Sequence, residues 1–165
     1  MNVAMNIIGY FGGHPWLAVL ALFCLNMVFI PVAEEFNIMV GGYLSAQLDG
    51  SWPFTMLACW FGMVITDYWA YLLARWFGKP LLNSKFGRFI LSPDKLDMAM
   101  AKVDKYGAKM VFIVRFIPGG IRIPVFMACG LSGVSHGSFL FHSGLGAAIV
   151  MNVSFWLGYS LGDNI

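Results

Sequence analysis

Long apolar stretches separated by short polar segments run through most of this 165-residue chain. Two of them, residues 52–77 and 137–161, are continuous and long enough to cross a bilayer as helices. Two others contain breaks that a continuous helix tolerates poorly, one at Pro31 and one at the Pro-Gly-Gly of residues 118–120. Backbone that breaks at membrane depth survives only where protein or water surrounds it, so we predict two re-entrant helical hairpins.

The order of these stretches predicts an all-α integral membrane protein with a single membrane domain over residues 1–165. A broken hairpin followed by a spanning helix occurs twice, over about residues 16–78 and about residues 110–162. An odd number of crossings separates the two repeats, so we expect them to have opposite orientations in the membrane. Inverted repeats with broken segments near the midplane are typical of transporters.

The linker between the repeats, residues 79–109, is the polar part of the chain and holds seven of its ten Lys and Arg residues. Pro93 follows a serine and predicts a helix start. The apolar positions after it recur at helical spacing: Leu96, Ala99, Met100, Val103 and Tyr106. We therefore predict an amphipathic helix at the protein or membrane surface. Because basic loops remain in the cytoplasm, we predict that the linker is cytoplasmic.

The amino-acid composition favours a membrane protein and argues against a metal site. Hydrophobic residues make up 59% of the chain and charged residues 11%, which favours a membrane protein over a soluble one. The three cysteines form no CxxC pair and the three histidines share no metal-ligand spacing, so we expect free thiols, no metal and no cofactor. Acidic residues interrupt the basic run of the linker, so we expect no nucleic-acid partner.

Two arginines in the second broken segment are the first candidate functional residues. Arg115 and Arg122 lie on either side of the break that contains Gly119 and Gly120. Burying a charge at membrane depth is costly, so an intramembrane arginine indicates a functional site. This segment therefore predicts half of an anion site.

Three acids in the first repeat are the second group of candidates. Glu34 and Glu35 follow the first break, and Asp67 lies inside the first spanning stretch. Asp67, Tyr71 and Arg75 are spaced four residues apart, so they share one helix face, which we expect to point into the protein. Two interpretations of that face stay open, a functional polar face and a structural Asp–Arg pair.

These motifs resemble those of the DedA membrane proteins, also called the VTT or SNARE-associated domain family. The family motif Arg-Phe-x-Pro-x-x-Arg is similar to residues 115–122, with one extra residue before the second arginine. Other family positions resemble Asp67, Tyr71, Arg75, Gly78, Trp156, Gly158, Tyr159 and Gly162. The resemblance covers about residues 25–162. The acid that the family places after its first break maps to either Glu34 or Glu35.

This chain departs from the family pattern in three places. Thr66 and Ala74 stand where glycines are usual, and Leu25-Asn26 lacks a family acid. Family members continue into one more hydrophobic helix after the Gly-Tyr motif. We expect that helix to be absent here or supplied by a neighbour, and a homo-oligomer stays open.

The resemblance implies a transporter, not an enzyme, in the inner membrane of a bacterium. Bacterial members translocate undecaprenyl phosphate-like lipid carriers for cell-envelope synthesis, so the expected substrate is a lipid phosphate. A guanidinium binds phosphate through paired hydrogen bonds, which gives the substrate-binding set Arg115, Arg122, Gly119 and Gly120. Burial disfavours the charged form of a carboxylate, so we expect proton binding at Glu34, Glu35 or Asp67 to gate transport. A phospholipid scramblase, a proton-coupled antiporter of a small cation and a structural protein stay open as alternatives.

Labelling of the substitution Lys95→Cys tests the predicted topology. In a background without the native cysteines, we expect an impermeant thiol reagent to leave this linker residue unlabelled in intact cells. Labelling should appear once the membrane is opened. Ready labelling from outside the cell would contradict the cytoplasmic assignment.

Overall fold

The computed structural model describes residues 14–28, 34–47, 52–83, 93–117 and 121–163. These residues form helices joined by turns, without a strand among them. The helices are α1 (Pro15–Val28), α2 (Glu34–Gln47), α3 (Trp52–Asn83), α4 (Pro93–Tyr106), α5 (Lys109–Ile113), a 3-10 turn (Val114–Phe116), α6 (Arg122–Leu131) and α7 (His136–Asp163). The predicted all-α class is therefore confirmed. The two breaks, which fall at residues 29–33 and 118–120, lie outside the described residues, as do Gly119 and Gly120.

Helices α3 and α7 are the two described helices that are long and apolar enough to cross a membrane. The 28 residues of α7 extend about 42 Å at ~1.5 Å per residue, which exceeds a hydrocarbon core of ~30 Å. Both helices expose large apolar side chains, including Phe54, Phe61 and Leu157. Such exposure is unfavourable in water and is expected of a surface that faces lipid.

Gly78 lies where the first predicted spanning helix is expected to end, and the helix is interrupted there. Its backbone has φ 39° and ψ −125°, which is not helical, yet α3 resumes after it and continues to Asn83. A glycine accepts positive φ without the steric penalty of a Cβ atom. The residue therefore produces a kink in α3, and the apolar segment that is long enough to cross a membrane ends at Gly78, as predicted.

The chain divides into two compact units. The first unit contains residues 1–66 and 147–165, and the second unit contains residues 67–146. The division falls inside both α3 and α7, so each unit combines one of the predicted broken segments with a part of each of these two long helices. All ten Lys and Arg residues lie between Arg75 and Arg122, which places every one of them in the second unit.

In the first unit, α2 packs closely against the carboxyl-terminal half of α7. A Cβ atom at Gly42 would overlap the carbonyl oxygen of Phe155, and one at Gly158 would overlap that of Met39. Gly158 and Gly162 are four residues apart, so they form the small-xxx-small pattern that lets membrane helices approach closely. The surrounding core consists of Val19, Phe23, Ile38, Cys59, Met63, Ala147, Met151 and Phe155.

In the second unit, the amphipathic helix α4 packs against α6. Ala99 and Val103 are buried in the core of the unit, and Leu96 and Met100 pack against that core. The predicted apolar stripe of the linker is therefore confirmed at these positions, where it faces protein. Tyr106 is 45% exposed and does not belong to the buried stripe, because α4 ends at that residue.

The substitution Gly158→Ala tests the close approach of α2 and α7. The added methyl group would overlap backbone at Met39, and overpacking of this kind destabilises proteins by about 1–3 kcal/mol. We therefore expect a lower thermal unfolding midpoint in detergent micelles. Gly137→Ala on the same helix is the matched control, because a Cβ atom there meets nothing within 4 Å. Equal midpoints for the two variants would contradict this packing.

Candidate functional site

A buried ion pair between Arg115 and Asp67 lies in the second unit. The side chain of Arg115 is 0% exposed and that of Asp67 is 2% exposed. Arg115 belongs to the 3-10 turn that follows α5, and Asp67 lies within the apolar part of α3. The structure thus brings two of the predicted site residues together, and each neutralises the buried charge of the other.

Ser143 on α7 completes this cluster. Its hydroxyl donates a hydrogen bond of 2.7 Å to Oδ2 of Asp67 and accepts one of 3.2 Å from Nη2 of Arg115. Three separate segments therefore hold one carboxylate and one guanidinium in place. Additional hydrogen bonds of this kind are what a buried ion pair needs to offset the desolvation of its charges.

Gly146 and Phe126 shape the space around the guanidinium. A Cβ atom at Gly146 would lie 2.6 Å from Cδ of Arg115, so this position leaves room for the arginine stem. The ring of Phe126 lies 6.0 Å from Cζ of Arg115, within the range of a cation–π contact. Neither Gly146 nor Ser143 is among the site residues predicted from the sequence. Their spacing of three residues on one helix face was the available signal.

Arg122 lies in the same unit, at the first position of α6, and is half-buried. Helix α6 contacts the 3-10 turn that carries Arg115. The amino terminus of a helix carries a partial positive charge and exposed N–H groups, which favour an anion. Arg122 adds a full positive charge at that end of α6.

The face of Asp67, Tyr71 and Arg75 is only partly as predicted. Asp67 and Tyr71 are buried, so this part of the face points into the protein. Arg75 is exposed, and its Nη1 donates to Oη of Tyr71 at 2.6 Å and to the carbonyl oxygen of Val134 at 2.9 Å. Asp67 pairs with Arg115, so Arg75 supports the contact between Tyr71 and Val134 and makes no pair with Asp67.

Glu34 and Glu35 lie in the first turn of α2, within the first unit. Both are half-buried, and a negative charge is favourable at that end of a helix. The hydroxyl of Thr66 donates a hydrogen bond of 3.0 Å to Oε1 of Glu34. The predicted site residues therefore divide between the units, with two acids in the first and the arginines and Asp67 in the second. No metal-binding cluster of His, Cys, Asp and Glu occurs among the described residues.

Comparison with known proteins confirms the family resemblance. The profile of the VTT domain matches residues 30–160. A membrane protein of Synechocystis is 32% identical over 133 residues, which cover 81% of this chain and 61% of that protein. An inner membrane protein of Borreliella burgdorferi is 26% identical over 163 residues, covering 99% of this chain and 73% of that protein.

Another relative carries a functional name. Undecaprenyl phosphate transporter A of Bacillus subtilis is 29% identical over 134 residues, covering 80% of this chain and 66% of that protein. The chain thus spans about two thirds of the length of this relative and less of the Synechocystis protein. No solved structure matches the chain significantly.

The substitution Asp67→Asn tests the buried ion pair. Removing one partner leaves the charge of Arg115 uncompensated, which typically destabilises a protein by about 3–5 kcal/mol. The buried thiols Cys59 and Cys129 report unfolding by their reaction with a fluorogenic thiol reagent during heating. Asp97→Asn, at an exposed position of α4, is the matched control and should leave the midpoint unchanged. A midpoint of Asp67→Asn equal to that of the control would refute a buried pair.

Proposed function

Because this chain belongs to the VTT-domain (DedA) family of membrane proteins, we propose that it is a transporter that moves a lipid phosphate across the bacterial inner membrane. The relative named undecaprenyl phosphate transporter A supports a polyprenyl phosphate as the substrate. The observation that carries the proposal is the buried pair of Arg115 and Asp67. An apolar protein interior rarely retains a guanidinium without a function for it.

The pair of Arg115 and Asp67 is suited to a reaction in which one anion replaces another at the guanidinium of Arg115. A phosphate and a carboxylate both accept paired hydrogen bonds from a guanidinium, so a lipid phosphate can replace Asp67 as the partner of Arg115. Two anions beside one buried cation would repel each other, so Asp67 has to lose its charge when the phosphate binds. Proton binding at Asp67 achieves this, and it couples each bound lipid phosphate to a proton.

Arg122 supplies the second positive charge of the proposed site. A phosphate monoester carries about −1.5 to −2 charge at neutral pH, so a single arginine does not compensate it. Arg122 and the amino-terminal N–H groups of α6 add the missing positive potential. Gly119 and Gly120 are separated from α6 by Ile121 alone, and we propose that their backbone N–H groups join the site.

Glu34 and Glu35 have a different role in this proposal. The first unit contains no Lys or Arg, so its side chains offer a phosphate no cation. The two glutamates are therefore assigned to proton binding and not to the lipid head group. Residues 79–109 stay on the cytoplasmic side, as their basic residues predict.

Transport of undecaprenyl phosphate in proteoliposomes tests this function. We expect uptake by the wild-type protein to depend on a pH gradient. Arg122→Lys keeps the charge but loses the paired hydrogen bonds, at a typical loss of ~1.5–3 kcal/mol, so lipid affinity should fall about ten- to hundred-fold. The reciprocal exchange Lys105→Arg at an exposed position of α4 is the control and should leave transport unchanged.

The double substitution Asp67→Asn with Arg115→Gln distinguishes a phosphate-binding role of the ion pair from a purely structural role. Replacing both members of a buried ion pair by neutral groups is often tolerated, so we expect this variant to fold. It should nevertheless fail to transport the lipid, because the phosphate has lost Arg115. Transport at the wild-type rate would show that the pair is structural only. Movement of phosphatidylcholine without a pH gradient, or of a small cation without lipid phosphate, would favour a scramblase or an antiporter instead.

A further inference from the structure

A row of buried and half-buried residues, most of them polar, lies along the contact of α2 and α3 in the first unit. The hydrogen bond between Glu34 and Thr66 marks one end of the row. Farther along α2, a Cβ atom at Gly41 would lie 3.2 Å from Sγ of Cys59 and 3.5 Å from Cγ2 of Thr55. We call this row the polar seam, and its members are Glu34, Asn37, Gly41 and Ser45 on α2 and Thr55, Cys59 and Thr66 on α3.

The spacing of residues on both helices supports a continuous seam. On α2 the members recur at intervals of three or four residues, so they share one helix face. Residue numbers fall along α3 as they rise along α2, since Glu34 meets Thr66 and Gly41 meets Cys59 and Thr55. The two helices are therefore antiparallel, and the seam runs along their contact.

Two polar atoms on the seam are buried and unsatisfied. Asn37 is 4% exposed and Ser45 is 2% exposed, and neither Nδ2 of Asn37 nor Oγ of Ser45 has a hydrogen-bond partner among the described residues. A buried polar group without a partner costs about 1–3 kcal/mol, and such groups usually bind an ordered water. Both atoms lie between helices of a membrane protein, where lipid offers no hydrogen bond.

Glu34 lies far from the Trp52 end of α3. Thr66, its partner, lies fourteen residues after Trp52, which is about 21 Å along α3 at ~1.5 Å per residue. If Trp52 marks the membrane surface, Glu34 lies well inside a hydrocarbon core of ~30 Å. Ser45 and Thr55 lie toward the Trp52 end of the seam, so polar groups extend from Glu34 toward that membrane surface.

We propose that the polar seam binds water at Asn37 and Ser45 and conducts protons to Glu34. Water at these positions would form hydrogen bonds with Nδ2 of Asn37 and Oγ of Ser45. It would thereby continue the line of hydrogen-bonding groups along the contact of α2 and α3. Gly41 has no side chain on this face, and a Cβ atom there would lie 3.0 Å from Cγ2 of Val19. Glu34 and Cys59 are the titratable side chains on the seam. The inference rests on the proposed proton binding at Glu34 and adds the residues that would bring a proton to it.

Hydroxyl-radical footprinting of the wild-type protein in lipid nanodiscs tests hydration directly. The radicals form from bound water and oxidise nearby sulfur atoms. Cys59 and Cys129 are both 0% exposed, so they form a matched pair that differs in location, one on the seam and one in the core of the second unit. We expect Cys59 to be oxidised several-fold faster than Cys129. Equal rates would overturn the proposal.

The variants Asn37→Leu and Ser45→Ala connect hydration to transport. Each removes one proposed water-binding group, so oxidation of Cys59 should fall toward the rate of Cys129. Lipid phosphate binding should survive, because neither residue belongs to the proposed phosphate site, while transport driven by a pH gradient should slow several-fold. Unchanged proton-driven transport in both variants would refute the conducting role. A hydrated seam in a protein that moves no lipid phosphate would leave the inference of hydration standing and overturn the proposed function.

Discussion

The cost of holding charge inside an apolar protein governs the second unit. Arg115 and Asp67 come from different helical segments, and each is tolerated in its buried position because the other is there. Ser143 adds a third attachment from α7, and Gly146 leaves the space that the arginine stem occupies. The burial of Arg115 thus depends on the charge of Asp67, on the hydroxyl of Ser143 and on the space at Gly146. An anion that binds Arg115 would therefore compete with the carboxylate of Asp67.

The distribution of charge divides the chemistry between the units. All Lys and Arg residues belong to the second unit, whereas Glu34 and Glu35 belong to the first. The basic side chains and these two glutamates therefore lie in different parts of the chain. Thr66 and Asp67 are consecutive residues of α3. Thr66 contacts Glu34, and Asp67 contacts Arg115, so the same helix contacts one of these glutamates and one of the basic residues.

Close packing of backbones shapes the first unit. The contact of α2 with α7 contains Gly42, Gly158 and Gly162, which have no side chains and let the two backbones approach closely. Lipid gives apolar helices little reason to associate, so close van der Waals contact of this kind is a main source of stability. On its other side, α2 carries Asn37 and Ser45 toward the seam. The same short helix thus combines a tightly packed face with a polar one.

The sequence by itself determined the helical class, the two helices long and apolar enough to cross a membrane, the amphipathic linker helix and the family. Hydrophobic period, length and local motifs depend only on neighbouring residues. The sequence also identified Arg115 and Asp67, since charges stand out in apolar stretches. Only the tertiary structure decided that these two residues pair, that Arg75 binds Tyr71 and Val134 instead, and that Ser143 joins the pair. Apart from the contact of Arg75 with Tyr71, which are four positions apart, these contacts join residues 28 to 76 positions apart. The choice among several possible partners therefore depends on how the helices pack.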